Sequence, residues 1–594
     1  MNYNMICDVF RRNRDYEAVL SVLSYPVTGR RKPYYVSGLT QGAEYIFLRS
    51  LAEDAASPTE PLVLVFADEK KALGFKEFLS SCGVAGAFFP AREYCFNNIT
   101  SSHEYEGERL STLAALTGDF PSESSPGVIC TTAEAMLQVT MPPSELSARC
   151  VEVSSSDTLD TEEFSKKLLS AGYTRVDLVE APGQFAQRGG IIDVYPPLSE
   201  PVRIELFGDE IDRMGYFSSE TQRFTEASAD RLVIPPVREL MFSDERKKEL
   251  ADTIRRHIRR LGAMQNESNE KCARAAEIMH SELTSVEHSF EINFADKYLP
   301  ILYPEGACFL DYKTGPIVMV DCGEIEERTK AQAALTDQSL TEMSDSLELP
   351  QMKKGIYLRD VEEIGMRQSS PVIFIDALAR SHADLTPAGV FVFNTRHVPA
   401  YSGNTALFNE DLARFRREKY LTVVLCSSES EKNSLGKALG SEGITIMTAD
   451  KTDTSADIDV QPLLTAEKPP VVMMTGEFPG GFELAYPKFV LLDFSKEASR
   501  PSRGYSHTPK KKKKTASEAI MSYADLEVGD IVVHDAYGIG QYLGLENLTI
   551  DGSSRDYVSI KYAGSDKLFL PVDQLDHVSK YIGAGADTGM VKLS

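Results

Sequence analysis

The sequence predicts a multidomain α/β protein with an α+β insert and a small all-β, SH3-like barrel towards its C-terminal end. Three observations predict this. The chain has 594 residues, more than one hydrophobic core organises. Apolar strand runs alternate with helical spacing over the first part of the chain, and again from Leu421. Between Asp525 and Ile582 the strand signals follow one another closely, as in a compact β unit.

Taken in order, residues 34–36 are a short apolar run ending at Ser37-Gly38, and residues 62–66 (LVLVF) read as a buried strand. Asp68 stands at a helix cap, residues 70–81 carry helical spacing, and Cys82-Gly83 ends the helix. Residues 127–131 are another buried strand, followed by a helical stretch over 133–138. Such alternation implies a parallel sheet with helices on its faces. From Pro143 the style changes. Strand signals at 151–153, 174–178, 191–194 and 203–207, with one helix at 161–170, predict a small inserted module. A charged helix is expected over 247–260 and further helix over 264–283, before buried strands resume at 308–310, 317–320 and 372–375.

Residues 421–426 open a second βα unit, with Ser427 or Ser428 as cap, a helix over 429–439 and Gly440 as its stop; strands at 471–475 and 489–494 complete it. Residues 495–520, with Lys510–Lys514, read as a basic linker, because five like charges favour an extended, solvated chain. In the β unit, residues 530–534, 542–545, 548–550, 557–562 and 567–572 are strands; Asp551-Gly552 marks a hairpin and residues 574–581 a short helical turn. The expected domains are 1–142 and 207–385 for the first α/β domain, 143–206 for its insert, 386–497 for a second α/β domain, 498–522 for the linker and 523–585 for the barrel.

Composition narrows the function. Hydrophobic content of 42% and charged content of 25% are those of ordinary globular protein. A net charge of −25 argues against gripping nucleic acid through the overall field, but leaves room for a local basic groove. The nine cysteines are scattered without a CxxC pair, so reduced thiols are expected, and neither a zinc site nor a disulfide framework. The apolar runs are too short to span a bilayer, and the first 14 residues lack the apolar core of a signal peptide.

Gly38-Leu39-Thr40-Gln41-Gly42-Ala43-Glu44-Tyr45 lies where a phosphate-binding loop belongs, between a strand and a helix. A working loop, GxxxxGK[ST], needs Lys for the phosphate charge and a small hydroxyl for Mg²⁺. Here Glu44 and Tyr45 occupy those places. The loop reads either as a helicase-type site that has lost its nucleotide or as an ordinary βα turn. In both cases no nucleotide, other cofactor or metal is expected, and no catalytic residue emerges elsewhere: the histidines form no HExxH and no serine sits in GxSxG.

Two stretches carry a resemblance. GQFAQRGGIIDVYPPLSEPVRIELFGDEID (183–212) is similar to a segment shared by the repair helicase UvrB and the bacterial transcription-repair coupling factors (Mfd). VGDIVVHDAYGIGQYLGL (528–545), together with DYVSIKYAGSDKLFLPVDQLDHVSKYIG (556–583), resembles the polymerase-interacting domain of the same factors, related to CarD-type regulators. FPARE (89–93) and GGFE (480–483) fit the same order, so the resemblance covers essentially the whole chain.

The resemblance implies a cytoplasmic, non-catalytic platform of transcription-coupled nucleotide excision repair. Its insert would bind UvrA, with Arg175, Phe185, Arg188 and Asp193 as candidate contacts, although Arg188 read by itself also suits ordering its own hairpin. The β unit would bind the β subunit of RNA polymerase through Ile531, Val533, His534, Asp535, Tyr537 and Ile539. Residues 531–534 would be an edge strand that accepts a partner strand, though pairing inside the barrel stays open. Asp535 departs from the family, which is usually apolar there, and Tyr537 is expected to supply apolar surface instead. The family continues into ATP-driven motor domains that handle DNA, so the chain is expected to be an amino-terminal fragment whose ATPase lies elsewhere. A UvrB-like repair helicase and a CarD-like transcription regulator remain as alternatives.

Overall fold

The computed structural model describes residues 3–24, 32–96, 105–117, 126–197, 200–264, 269–288, 292, 294–352, 355–364, 370–376, 387–448, 459–476, 478–494, 531–534, 538–550, 553–561, 567–571 and 578–580. The chain forms two compact units, Met1–Gly504 and Tyr505–Ser594. The basic run Lys510–Lys514 and its linker lie outside the described residues.

In chain order the first unit contains β1 (Tyr34–Ser37), β2 (Leu62–Phe66), β3 (Ala87–Phe89) and β4 (Val128–Thr132). The insert follows, with β5 (Val151–Ser154), β6 (Thr174–Arg175), β7 (Gln184–Arg188), β8 (Ile191–Val194), β9 (Val202–Phe207), β10 (Glu210–Phe217), β11 (Phe224–Ser228) and β12 (Arg231–Ile234). Then come β13 (Ile317–Val320), β14 (Val372–Asp376) and β15 (Gly389–Val392). The second α/β set adds β16 (Thr395–Val398), β17 (Leu421–Cys426), β18 (Ile446–Thr448), β19 (Val471–Thr475), β20 (Gly481–Leu484) and β21 (Phe489–Asp493).

The first sheet has the order β15-β1-β14-β13-β2-β4-β3, and every ladder in it is parallel. Its inner strands are buried end to end, as a sheet covered on both faces requires. Alternate residues divide between two cores: Leu62, Leu64, Val318 and Ile373 pack on one side, Val63, Val65, Ile129 and Met319 on the other. The expected cap is present, since the Asp68 carboxylate accepts from Lys71 N at 2.7 Å and the helix Glu69–Ser81 follows.

The insert is larger than the 143–206 expected. Its sheet has the order β11-β10-β9-β8-β7-β6, and β12 pairs with β5, so the module runs from Val151 to Ile234. The expected boundary falls inside β9, where Gly208 (φ +67°) makes a hairpin turn rather than an exit. Two long helices, Asp244–Met264 and Asn269–His288, lead back to β13; the helix expected over 264–283 is the second of these. The strand expected at 308–310 is instead the 3₁₀ turn Phe309–Asp311, and that at 174–178 is only Thr174–Arg175.

The second sheet has the order β16-β20-β21-β17-β19-β18. Here β15 belongs to the first sheet and β16 to the second, so the chain crosses over between residues 392 and 395, not at 386. Leu421, Val423, Phe489 and Leu491 share one core with Val36, Leu64 and Val318 of the first sheet. The N-terminal helix Asn4–Arg11 helps seal this core, with the Phe10 ring against Phe393 (6.3 Å) and Phe482 (6.0 Å). Ser428 caps the helix Glu429–Ser441, which runs through Gly440; the left-handed residue is Gly443 (φ +76°).

The second unit contains β22 (Ile531–His534), β23 (Gly538–Ile550), β24 (Ser553–Lys561), β25 (Lys567–Pro571) and β26 (Val578–Lys580). They form an antiparallel sheet of order β25-β24-β23-β22-β26. Ile550 pairs with Ser553, and the expected hairpin residues Asp551-Gly552 lie outside the described residues. Residues 578–580 are a strand rather than part of a helical turn. Among the described residues no ladder joins β25 to β26, which closure of a barrel requires.

Candidate functional site

Three places were singled out by the sequence: the loop after β1, the end of the insert sheet, and the β unit. The loop is filled by the chain itself. Gly38 has φ +80°, and a Cβ there would lie 2.0 Å from the Phe393 carbonyl oxygen. A Cβ on Gly42 would lie 2.2 Å from the Gly480 carbonyl oxygen. The Thr40 N–H donates to Thr395 Oγ1 at 2.8 Å, and that hydroxyl donates to the Gly38 carbonyl at 2.7 Å. A phosphate cradle needs N–H groups and space in front of its glycines; here a backbone donor is used and carbonyls stand against both glycines. Tyr45 is a packing residue, edge-on to Phe75 (5.2 Å) and Phe78 (5.3 Å).

Glu44 differs from its sequence reading. Burial, then the charge of Asp321, push its carboxyl up to about 8; Lys71 opposes this and Asp376 adds to it. The side chain is therefore mostly neutral at pH 7, and repulsion of phosphate by Glu44 is not what closes the loop. Packing against the second sheet closes it. A raised carboxyl pKa means the folded state prefers the protonated form, so stability falls as pH rises from about 4.5 to about 8. Glu44→Gln is expected to remove most of this slope, a difference on the order of a few kcal/mol between pH 5 and pH 9. Urea unfolding at the two pH values reads it, and identical slopes for both proteins would contradict the burial of this carboxyl.

At the insert, β7 and β8 are joined by Gly189 (φ +61°) and Gly190. A Cβ on Gly190 would lie 2.8 Å from the Leu206 carbonyl oxygen, and the Leu206 N–H donates to the Gly190 carbonyl at 2.8 Å. This turn and the end of β9 are thereby held together. Arg188 is 46% exposed and donates to Asp193 Oδ2 at 2.7 Å. Asp193 is buried and also accepts from Arg203 Nε at 2.6 Å and Nη2 at 2.9 Å. Arg203 lies over the Phe217 ring at 4.5 Å and donates to the Gln222 carbonyl at 2.9 Å. One buried carboxylate thus orients two guanidiniums, one inward and one outward. Arg188 therefore braces its own hairpin and still presents about half of its side chain to solvent.

Arg175 is exposed, with Nη2 3.4 Å from Gln187 Oε1, an oxygen that also accepts from Ser165 at 3.0 Å. Phe185 points into the insert core and is fully buried, so its place as a surface contact is corrected: the strand's period of two turns it inward. Asp193 likewise reaches no surface and holds the exposed Arg188. Phe207, which the sequence reading does not single out, is 82% exposed at the β9–β10 turn, next to the Leu206 tie to Gly190. Its signal was available. Leu206-Phe207 breaks the alternation of β9, leaving an aromatic on the solvent side.

In the β unit, β22 is not an edge strand. Val533 and His534 pair with Ile539 and Gly538 on one side and with Ser579 and Val578 on the other; Ile531 pairs with Gln541. The edges are β25 and β26, because a strand near the far end of the unit returns to cover β22. Asp535 and Tyr537 lie outside the described residues. Among the described residues no group of three or more His, Cys, Asp or Glu is placed to hold a metal ion, and no helix is long and apolar enough to cross a membrane.

Comparison with known proteins places both modules. The UvrB interaction domain matches residues 151–240, the span of β5 to β12 and slightly beyond. The CarD-like/TRCF RID domain matches residues 526–582, the span of β22 to β26. The transcription-repair-coupling factor of Bacillus subtilis (strain 168) is 28% identical over 581 residues, 95% of this chain and 46% of that protein. The factor of Staphylococcus haemolyticus (strain JCSC1435) is 27% identical over 501 residues, 82% of this chain and 40% of that protein. The chain thus spans a little under half the length of these curated relatives.

Proposed function

We propose, on the premise that this chain carries the UvrB interaction and CarD-like/TRCF RID domains and is related to transcription-repair-coupling factors over nearly its whole length, that it is a docking platform of transcription-coupled excision repair. The insert binds UvrA and the β unit binds the β subunit of RNA polymerase, both in the cytoplasm. The observation that carries the reading is the end of the insert sheet, where Arg188 is held outward by a buried carboxylate and Phe207 stands exposed at the β9–β10 turn. Arginine and aromatic side chains are the usual anchors of protein interfaces, and pre-ordering them lowers what docking costs in entropy. Arg175 widens the same sheet's charged rim.

Polymerase docking by strand addition falls to an edge, Lys567–Pro571 or Val578–Lys580, rather than to β22. An ATP-driven helicase draws no support from a loop whose glycines face the chain's own carbonyls. A CarD-like regulator alone leaves the insert without a task.

Shortening the chain to residues 1–504 tests the division of labour. UvrA affinity is expected to stay within about twofold while polymerase binding is lost, both read by surface plasmon resonance. Polymerase binding undiminished by the deletion would overturn the assignment of the β unit.

A further inference from the structure

A basic strip on the helix Asp244–Met264 has no place in either docking role. Its buried stripe is Leu250, Thr253, Ile254, His257 and Leu261. The segment RRHIRR (255–260) therefore turns Arg255, Arg256, Arg259 and Arg260 to solvent, and all four are exposed. Arg255 is engaged structurally, with Asp252 at 2.8 Å and Glu287 at 2.5 Å, which ties this helix to the next. Arg256 donates to Thr253 Oγ1 at 2.9 Å and Arg259 to the Arg255 carbonyl at 3.4 Å. Among the described residues no carboxylate makes a salt bridge with Arg256, Arg259 or Arg260. The charge of Arg260 is felt inside the protein, where it adds to burial in lowering the neighbouring His257.

Such an island stands out in a chain of net charge −25. Arg255 with Arg259, and Arg256 with Arg260, are i,i+4 neighbours, so the guanidiniums form two rows on one face. The strip runs about 7.5 Å along the helix axis. Over that length duplex DNA carries about two phosphates on each strand, one per ~3.4 Å. Guanidinium forks pair bidentately with phosphate oxygens. An acidic protein segment seldom offers charge at that density. We infer that the Arg256–Arg260 strip binds the phosphate backbone of duplex DNA without reading its sequence. This contact belongs to the chain itself and does not depend on UvrA or polymerase.

The test is fluorescence anisotropy of a labelled 30-base-pair duplex with the full chain, at several salt concentrations. Wild type is expected to bind, and to lose affinity steeply with salt. Arg256→Glu/Arg259→Glu/Arg260→Glu is expected to bind at least tenfold more weakly, and its slope of log K on log salt to be shallower by about 2 to 3. Replacing the same three residues with Lys should keep binding within a few-fold, and circular dichroism checks that both variants are folded. No binding by wild type would overturn the inference. So would equal binding by the Glu variant, or displacement of the duplex by polyglutamate at the same concentration of charge.

Discussion

Arg188→Ala is expected to weaken UvrA binding about 10- to 100-fold, and Phe207→Ala by a similar factor, with little change in the stability of the chain. Both side chains are exposed, so truncation leaves the insert core intact. Anchors of this type each contribute ~2 kcal/mol or more at an interface, and every 1.4 kcal/mol is about tenfold in affinity. Asp193→Asn separates positioning from contact. It removes the charge that aims Arg188 and leaves Arg203 buried without its ion partner. It should therefore cost both affinity and several kcal/mol of stability. Plasmon resonance against UvrA with parallel thermal melts distinguishes the three variants. Wild-type affinity in both Arg188→Ala and Phe207→Ala would move the UvrA site away from this end of the sheet.

Glu239→Ala is expected to be the most destabilising single change in the first unit, by about 3–5 kcal/mol. Glu239 is fully buried where the chain leaves the insert. It accepts from Arg109 Nε at 2.7 Å and Nη2 at 2.8 Å, and from Arg92 Nη1 at 2.9 Å. Arg92 continues to Asp296 at 2.9 Å, so one ionic network joins the exit of the insert to the parent α/β layer. Burial by itself would raise the Glu239 carboxyl, but the two guanidiniums hold it down to about 2. A depressed folded pKa contributes stability above the unfolded value of about 4.3. That contribution is lost as pH falls towards 2. The difference between wild type and variant should therefore be full at pH 7 and shrink below pH 4. Urea titrations at pH 7 and pH 3 measure it. A penalty below about 1 kcal/mol at pH 7 would contradict the pairing, because deleting one partner of a buried ion pair strands the other.

What was legible in the sequence was local. LVLVF and LTVVLC are buried strands because no charged residue interrupts them, and Asp68 and Ser428 are caps because each has a short oxygen one residue before a helix. The antiparallel pairing of β23 with β24 follows from the hairpin signal the sequence carries between them. What was not legible depended on partners far along the chain. The state of Glu44 is set by burial beside Asp321 and Asp376. The inner position of β22 is decided by β26, more than forty residues later. The insert's end was misplaced because Gly208-Asp209 marks a turn equally well whether the next strand returns or departs. Phe185 is buried because both faces of its strand are covered, a condition that QFAQR does not display.

Recognition of two partners on separate units, with no nucleotide needed, is open to one direct measurement. Size-exclusion chromatography with light scattering makes it, on the full chain mixed with UvrA and RNA polymerase in nucleotide-free buffer. One ternary complex is expected, from which Arg188→Glu releases UvrA alone and deletion of residues 505–594 releases polymerase alone. Failure of either partner to co-elute with wild type, or assembly only after ATP is added, would contradict a two-partner platform.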